Sequence, residues 1–266
     1  MGATDFTLTV LGARGSMAVG GPENYEFGGS TSCYMVKAGE EVLFLDAGSG
    51  LLSAPVFFDK TPVILLSHLH LDHLMGLGMF PTLSLKGQEV SLYVPFCTDA
   101  EEARAKLDAV FSPPYWPVRL GNLGSDLGIF PLPERMTVGD VQVETMPGNH
   151  PGGCIIFKIR YAGKTLVCAT DYEHDEETDE KLVAFSKDAD LLLYDAQFTE
   201  EEYVRRKGFG HSTAQKGMEI MARSGTRRLL LIHHAPNSSD RMLREREASF
   251  GSPCISYARE GQVLSL

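Results

Sequence analysis

Two short runs of this chain, Val63-Ile64-Leu65-Leu66 and Leu229-Leu230-Leu231-Ile232, are apolar at every position, and both lead into histidines, at His68 and at His233-His234. A strand with one wet face alternates apolar and polar residues. A run with no polar position belongs to a strand covered on both faces. The chain must therefore place layers on both sides of its sheets. Histidines gathered at such strand ends sit where sites are usually built.

The remaining pattern supports the same architecture. Residues 6–11, 32–37 and 41–46 read as strands, the last two joined as a hairpin at Ala38-Gly39-Glu40. Residues 141–146, 154–161, 164–170 and 191–194 repeat the style in the second half, with a tight turn at Ala162-Gly163. Residues 99–110, 177–186 and 212–223 have helical composition. For the last, Ser212 and Gln215 make a capping box, with Ala214, Met218, Met221 and Ala222 on one face. The glycine-rich residues 12–29 form a long loop, and the prolines in 112–117 exclude a regular element. No repeat or composition shift divides the chain. The expectation is one α/β domain over 1–266, a four-layer αββα sandwich.

Charge and length narrow the function. The 266 residues carry 24 Lys and Arg against 35 Asp and Glu, a net charge of −11 that argues against clamping a long nucleic acid. No apolar run approaches the roughly 20 residues that span a bilayer, and the first residues lack a secretory pattern. Cys33, Cys97, Cys154, Cys168 and Cys254 are widely spaced and form no CxxC pair, so they read as small buried hydrophobes in a reducing compartment. These features point to a cytoplasmic protein with no membrane partner.

Of the eight histidines, His68, His70 and His73 close one buried strand in the series His-x-His-x-Asp-His, with Asp72. A tight turn can aim residues 68 and 70 at one point and residues 72 and 73 at another. Imidazole with carboxylate suits zinc, manganese or iron without any thiolate. Two ions about 3.5–4 Å apart could share a hydroxide for an in-line displacement.

The residues Ser67-His68-Leu69-His70-Leu71-Asp72-His73, the later His150, Ala169-Thr170-Asp171 and Leu231-Ile232-His233 resemble the metallo-β-lactamase superfamily, in motif order and over nearly the whole chain. Tyr194-Asp195-Ala196-Gln197-Phe198 and Gly210-His211-Ser212-Thr213 are most similar to its phosphodiesterase branch, which includes RNase Z and cyclic-nucleotide phosphodiesterases. The resemblance implies an αββα fold with two divalent metal ions. His68, His70 and His150 would hold one. Asp72, His73 and His233 would hold the other, with Asp171 bridging. His233 is favoured over His234 as the last ligand because it directly follows the strand. Asp46, in the family's early Asp-x-Gly turn, would orient a ligand histidine.

The chemistry then expected is attack of a metal-bound hydroxide on phosphorus. Asp72 is a candidate proton donor to the leaving alkoxide, and His211, at a helix N-terminus, would stabilise the developing charge. Arg14 in the glycine loop could hold a phosphate, and Tyr115-Trp116 could stack a base or plug a gap between helix and sheet. A lactone or thioester hydrolase of the same fold, or a non-catalytic interaction module, are the alternatives. In the tRNA-processing relatives a long arm is inserted between the third histidine and the bridging aspartate. Only 21 positions separate His150 from Asp171 here, so the expected substrate is a small phosphodiester. A homodimer is compatible with the fold.

Overall fold

The computed structural model describes residues 5–266. The first half contains β1 (Phe6–Gly12), β2 (Cys33–Ala38), β3 (Glu41–Leu45), β4 (Val63–Leu65), β5 (Glu89–Val94), α1 (Ala100–Asp108) and β6 (Asp126–Pro131). The second half contains β7 (Arg135–Val138), β8 (Val141–Gly148), β9 (Cys154–Tyr161), β10 (Lys164–Ala169), α2 (Glu176–Phe185) and β11 (Leu191–Asp195). It continues through α3 (Glu200–Arg206), α4 (Ala214–Ser224), β12 (Leu229–Ile232), α5 (Asp240–Ala248), β13 (Ile255–Tyr257) and β14 (Val263–Ser265). The strands form two sheets, ordered β14-β1-β2-β3-β4-β5-β6 and β13-β12-β11-β10-β9-β8-β7.

The two sheets pack face to face, with helices outside, giving the expected αββα sandwich. Side-chain alternation explains why the central strands had to be apolar throughout. Leu43, Leu45, Val63, Leu65, Leu191, Leu193, Leu230 and Ile232 point into the layer between the sheets. Their neighbours Phe44, Ile64 and Leu66 pack with Ala103 and Leu107 of α1. Leu192, Leu229 and Leu231 pack with Leu182 of α2, Ile220 of α4 and Leu243 of α5.

Strands β3 to β6 are mutually parallel, as are β10 to β13. Their C-terminal ends meet along one edge of the sandwich, where open parallel sheets place their ligands. Three residues just beyond these ends, Asp46, Asp171 and His233, adopt left-handed backbone with φ of 62°, 51° and 61°. This conformation is uncommon for residues other than glycine and turns each side chain sharply off its strand.

Several local expectations are revised. The cap of α4 is Thr213, whose side chain accepts from the Lys216 amide, while the Ser212 hydroxyl faces Tyr194 and His174. Ala214, Met218 and Met221 pack against the core as expected, beside the buried Gly217, Ile220 and Ser224, but Ala222 is exposed. Cys33, Cys154 and Cys168 are buried, but Cys97 is half-buried and Cys254 exposed because both lie in segments outside the sheets. No helix among the described residues is long and apolar enough to cross a membrane.

Candidate metal centre

Strand β4 ends at Leu65, and the chain then runs through Ser67 and His68 into a single 3-10 turn over Leu71–His73. That turn aims His70 one way and Asp72 with His73 another. From the facing sheet, β10 delivers Asp171 and β12 delivers His233, while His150 leads away from β8. The result is three overlapping groups of potential ligand atoms, each within 4.8 Å of one another: His68, His70, His150 and Asp171; Asp72, His73, Asp171 and His233; and Asp171, Asp195, His211 and His233, of which the first two match the expected ligand sets.

Asp171 belongs to all three. Its Oδ2 lies 3.4 Å from His68 Nε2 and 3.8 Å from His150 Nε2. Its Oδ1 lies 3.1 Å from His73 Nε2 and 3.0 Å from His233 Nε2. Asp72 Oδ2 completes the second group, 3.3 Å from His73 Nε2 and 3.2 Å from His233 Nε2. Four ligands set about 2.0–2.1 Å from one ion stand roughly 3.3 Å apart, so these spacings suit coordination.

The outer hydrogen bonds decide which ring nitrogen faces inward. His73 Nδ1 donates to Asp46 Oδ2 (2.8 Å), His233 Nδ1 to Gln197 Oε1 (2.8 Å), and His150 Nδ1 to the Gly210 carbonyl (2.8 Å). His68 Nδ1 donates to Ser67 Oγ (2.9 Å), whose own hydroxyl is spent on Asp46 Oδ2 (2.8 Å). Each Nε2 is thereby the ring nitrogen turned on the carboxylates, where it can take either a proton or a metal ion. His68 Nε2 is buried without a hydrogen bond, and His73 Nε2 faces His233 Nε2 at 3.4 Å. Ring nitrogens and carboxylate oxygens crowded in this way demand positive charge between them. The residues present fit divalent ions.

The electrostatics agree. Burial by itself would lower His73 and His233, but Asp171 and the other facing carboxylates outweigh it, raising both and bringing His233 to about 10. Burial would likewise raise Asp171, yet His233, His73 and His68 hold it well below the usual carboxylate range. At the edge of the site burial wins, and His150 falls to about 4. His70 alone of the seven ligand candidates is exposed. The site opens there.

A profile of the beta-lactamase superfamily domain matches residues 43–234, which hold every one of these groups. The chain belongs to that superfamily. It is 28% identical to the ribonuclease Z of Gemmatimonas aurantiaca over 90% of this chain and 90% of that protein. It is 26% identical to the probable metallo-hydrolase YhfI of Bacillus subtilis, over 96% and 98% of the two chains. The YhfI crystal structure, a metallo-β-lactamase fold, superposes with a TM-score of 0.73 at 21% identity over 97% and 98%. The crystal structure of a diphosphatase from the PhnP family gives 0.70 at 19% identity, over 98% of each chain. Within this superfamily the chain is a metal-dependent hydrolase.

The other expected site residues divide. His211 joins the cluster, its ring 4.7 Å from that of His233 and 5.3 Å from that of His150. Asp46 lies directly beneath, holding His73 and the Ser67 amide. His234 turns away, giving Nε2 to the Ala258 carbonyl between Phe27 and Tyr257. Trp116 packs edge-on to Phe111 and against Gly78, so it is the plug, while Tyr115 stays exposed beside it.

Arg14 corrects the expectation of a phosphate clamp. It is fully buried, and it donates to the carbonyls of Gly28, Ala235 and Ser238 and to Asn24 Oδ1. Four of its five N–H groups are spent on these acceptors, and full burial keeps the fifth from a substrate. The guanidinium ties the glycine loop to the segment after β12, and two residues later the Ser16 amide donates to Asp72 Oδ2 at 2.7 Å.

Two residues of the 194–198 motif carried no assigned role in the sequence and gain one here. Asp195 ends β11 and accepts His211 Nδ1 at 2.8 Å and the Tyr172 amide at 3.1 Å. Gln197 receives His233 and passes its own amide to Ser16 Oγ at 3.2 Å. A signal for Asp195 was present, since it closes an apolar run as Asp46 does.

Proposed function

We propose that the chain is a dinuclear phosphodiesterase acting on a small phosphodiester, such as a cyclic nucleotide or a short nucleotide. The observation that carries this reading is the double engagement of Asp171, whose two oxygens face two separate histidine groups. His68, His70 and His150 would hold one ion and Asp72, His73 and His233 the other, and the all-nitrogen-and-oxygen donor set suits zinc. Such ions, when bound, acidify water and neutralise phosphoryl oxygens.

The protein's own groups then do the rest. Asp195 fixes the His211 ring through Nδ1, which leaves Nε2 for the groove between the two donor groups. There it can hold a proton against a developing negative charge or pass it to a leaving alkoxide. Asp72 is poorly suited to the donor role expected of it. Burial favours its protonation, but His73 and His233 outweigh this and keep it ionised, and the Ser16 amide already occupies Oδ2. It serves better as a ligand.

Substrate size follows from the connection between His150 and Asp171. The strands β9 and β10 pair antiparallel and use almost all of it, leaving no insertion to grip a tRNA. The relatives named ribonuclease Z support phosphodiester chemistry, and the net charge of −11 argues against a long polyanion. Metal analysis together with assays on bis(p-nitrophenyl) phosphate, a cyclic nucleotide, a lactone and precursor tRNA tests the proposal. Two ions per chain and turnover of a small diester are expected. Cleavage of precursor tRNA alone would overturn the size argument, and turnover of the lactone alone would overturn the reaction class.

A further inference from the structure

Glu173 lies just past Asp171 and is buried, yet among the described residues no cation pairs with it. Its carboxylate is instead filled by neutral donors. Oε1 accepts from the Gly208 amide at 2.6 Å and the Tyr203 hydroxyl at 3.2 Å, and Oε2 accepts from the Gly210 amide at 2.7 Å. Its backbone pairs in both directions with Asn149, amide to carbonyl at 2.8 Å and carbonyl to side-chain amide at 3.0 Å. Glu173 therefore joins three segments, each carrying a group of the site: Asn149-His150, Asp171, and Gly210-His211.

The third segment needs a tether. Gly208 and Gly210 both have φ of 90°, which only glycine adopts easily, so the backbone around Phe209 has little stiffness of its own. Gly210 cannot carry a side chain, since a Cβ there would fall 2.2 Å from His150 Nδ1. Its carbonyl is the acceptor that selects the His150 tautomer. Beyond His211 the chain is held by the Phe198 amide on the Ser212 carbonyl. Before His211 the Phe209 amide turns back on the Arg206 carbonyl, and the two bonds to Glu173 tie the segment to the site. Burying an unpaired carboxylate is a costly way to tie a surface loop, and it is repaid where the loop aims ligand and proton-carrying side chains.

We propose that Glu173 is a positioning residue for the first metal group: by fixing the Gly208–Gly210 amides it orients His150 and seats His211, while making no bond to Asp72, His73 or His233. This rests on the dinuclear reading above. A glutamine cannot substitute, because in either amide orientation its NH2 would meet a glycine N–H. The test uses E173Q and Y203F, which deletes only the hydroxyl bond. Zinc affinity of each site is measured by competition with a chromophoric chelator, alongside thermal melting and kcat and KM on bis(p-nitrophenyl) phosphate.

E173Q is expected to retain one ion at wild-type affinity and to bind the other roughly 10–100-fold more weakly, the range for losing an outer partner of a metal ligand. Its kcat should fall with little change in KM. Y203F should show the same selective loss on a smaller scale. Equal weakening of both ions, or unchanged affinity and kcat in a folded E173Q, would overturn the inference. If E173Q fails to fold, Y203F decides: selective weakening supports the assignment, and none or equal weakening refutes it. A wild-type chain binding no metal would instead remove the dinuclear reading itself.

Discussion

Replacing Arg14 with methionine separates a buried strut from a substrate clamp. The guanidinium donates four hydrogen bonds and is fully buried. The Ala235 carbonyl keeps a second donor, the Ser238 amide, so the substitution orphans three acceptors: Gly28 O, Ser238 O and Asn24 Oδ1. An orphaned buried acceptor costs about 1–3 kcal/mol. Burial also opposes the charge of Arg14, which Asp240 and Glu260 only partly offset, so removing the cation returns some of that cost. The balance is a loss of about 3–4 kcal/mol, which for a chain of this size lowers Tm by roughly 6–16 °C. Arg14→Lys keeps the charge but not the planar fork, and should fall between the two. Calorimetry at fixed, saturating zinc measures the shift, and initial rates on bis(p-nitrophenyl) phosphate accompany it. A variant melting within 2 °C (about the smallest shift expected from 1 kcal/mol) but with KM raised tenfold would refute the strut and restore the clamp.

Three further outcomes are expected. Asp171→Ala removes the shared ligand, so the purified variant should hold less than one ion per chain, lose hydrolysis, and no longer gain stability from added zinc; full metal content would contradict the bridging assignment. His211→Ala should retain both ions while losing about 2.7–4 kcal/mol of transition-state stabilisation, the scale for one preorganised donor, with Asp195→Asn following in the same direction; an unchanged kcat would reduce His211 to a residue that merely precedes a helix. His234 is buried neutral, its pKa lowered by burial to about 3, so the unfolded chain takes up a proton below about 6.5 that the folded chain refuses. Its contribution to stability is intact above that pH and fades as the pH falls towards 3. His234→Phe should therefore be less stable than wild type at pH 7.5 for want of the bond to Ala258, with the gap narrowing by roughly 2 kcal/mol at pH 5. Urea melts at the two pH values check this, and parallel pH profiles would contradict it.

The strands nearest the site were legible because their signal is local. A four-residue run without a polar position needs cover on both faces wherever it lies, and Val63–Leu65 and Leu229–Ile232 obey that rule. The edges of the sheets were less so. Strand β14 is three residues long and exists because it pairs with β1 from the opposite end of the chain. Helix α5 carries so many charges, with only Leu243 buried among its apolar residues, that its composition hardly announces an amphipathic face.

Donor identity was likewise written in the chain. Imidazoles and carboxylates at strand ends are chemically able to hold cations, and their spacing near residues 68–73 is set by one short turn. Which donors face one another was decided by tertiary structure. His73 and His233 stand 160 positions apart and meet only because β4 and β12 lie in sheets packed against each other. The same packing decided the fates of residues that look alike in sequence. Two adjacent histidines, His233 and His234, point to opposite sides of one strand end, one onto Asp171 and the other onto Ala258. Arg14, in a glycine-rich loop, could as well have been solvated, and it became a strut because four acceptors from distant segments converge on it. Apolar periodicity is a property of neighbours in sequence, whereas satisfying a buried polar group depends on whatever the fold brings beside it. For that reason the strands and candidate ligands could be read along the chain, whereas the roles of Asp195, Gln197 and Glu173 emerged only in space.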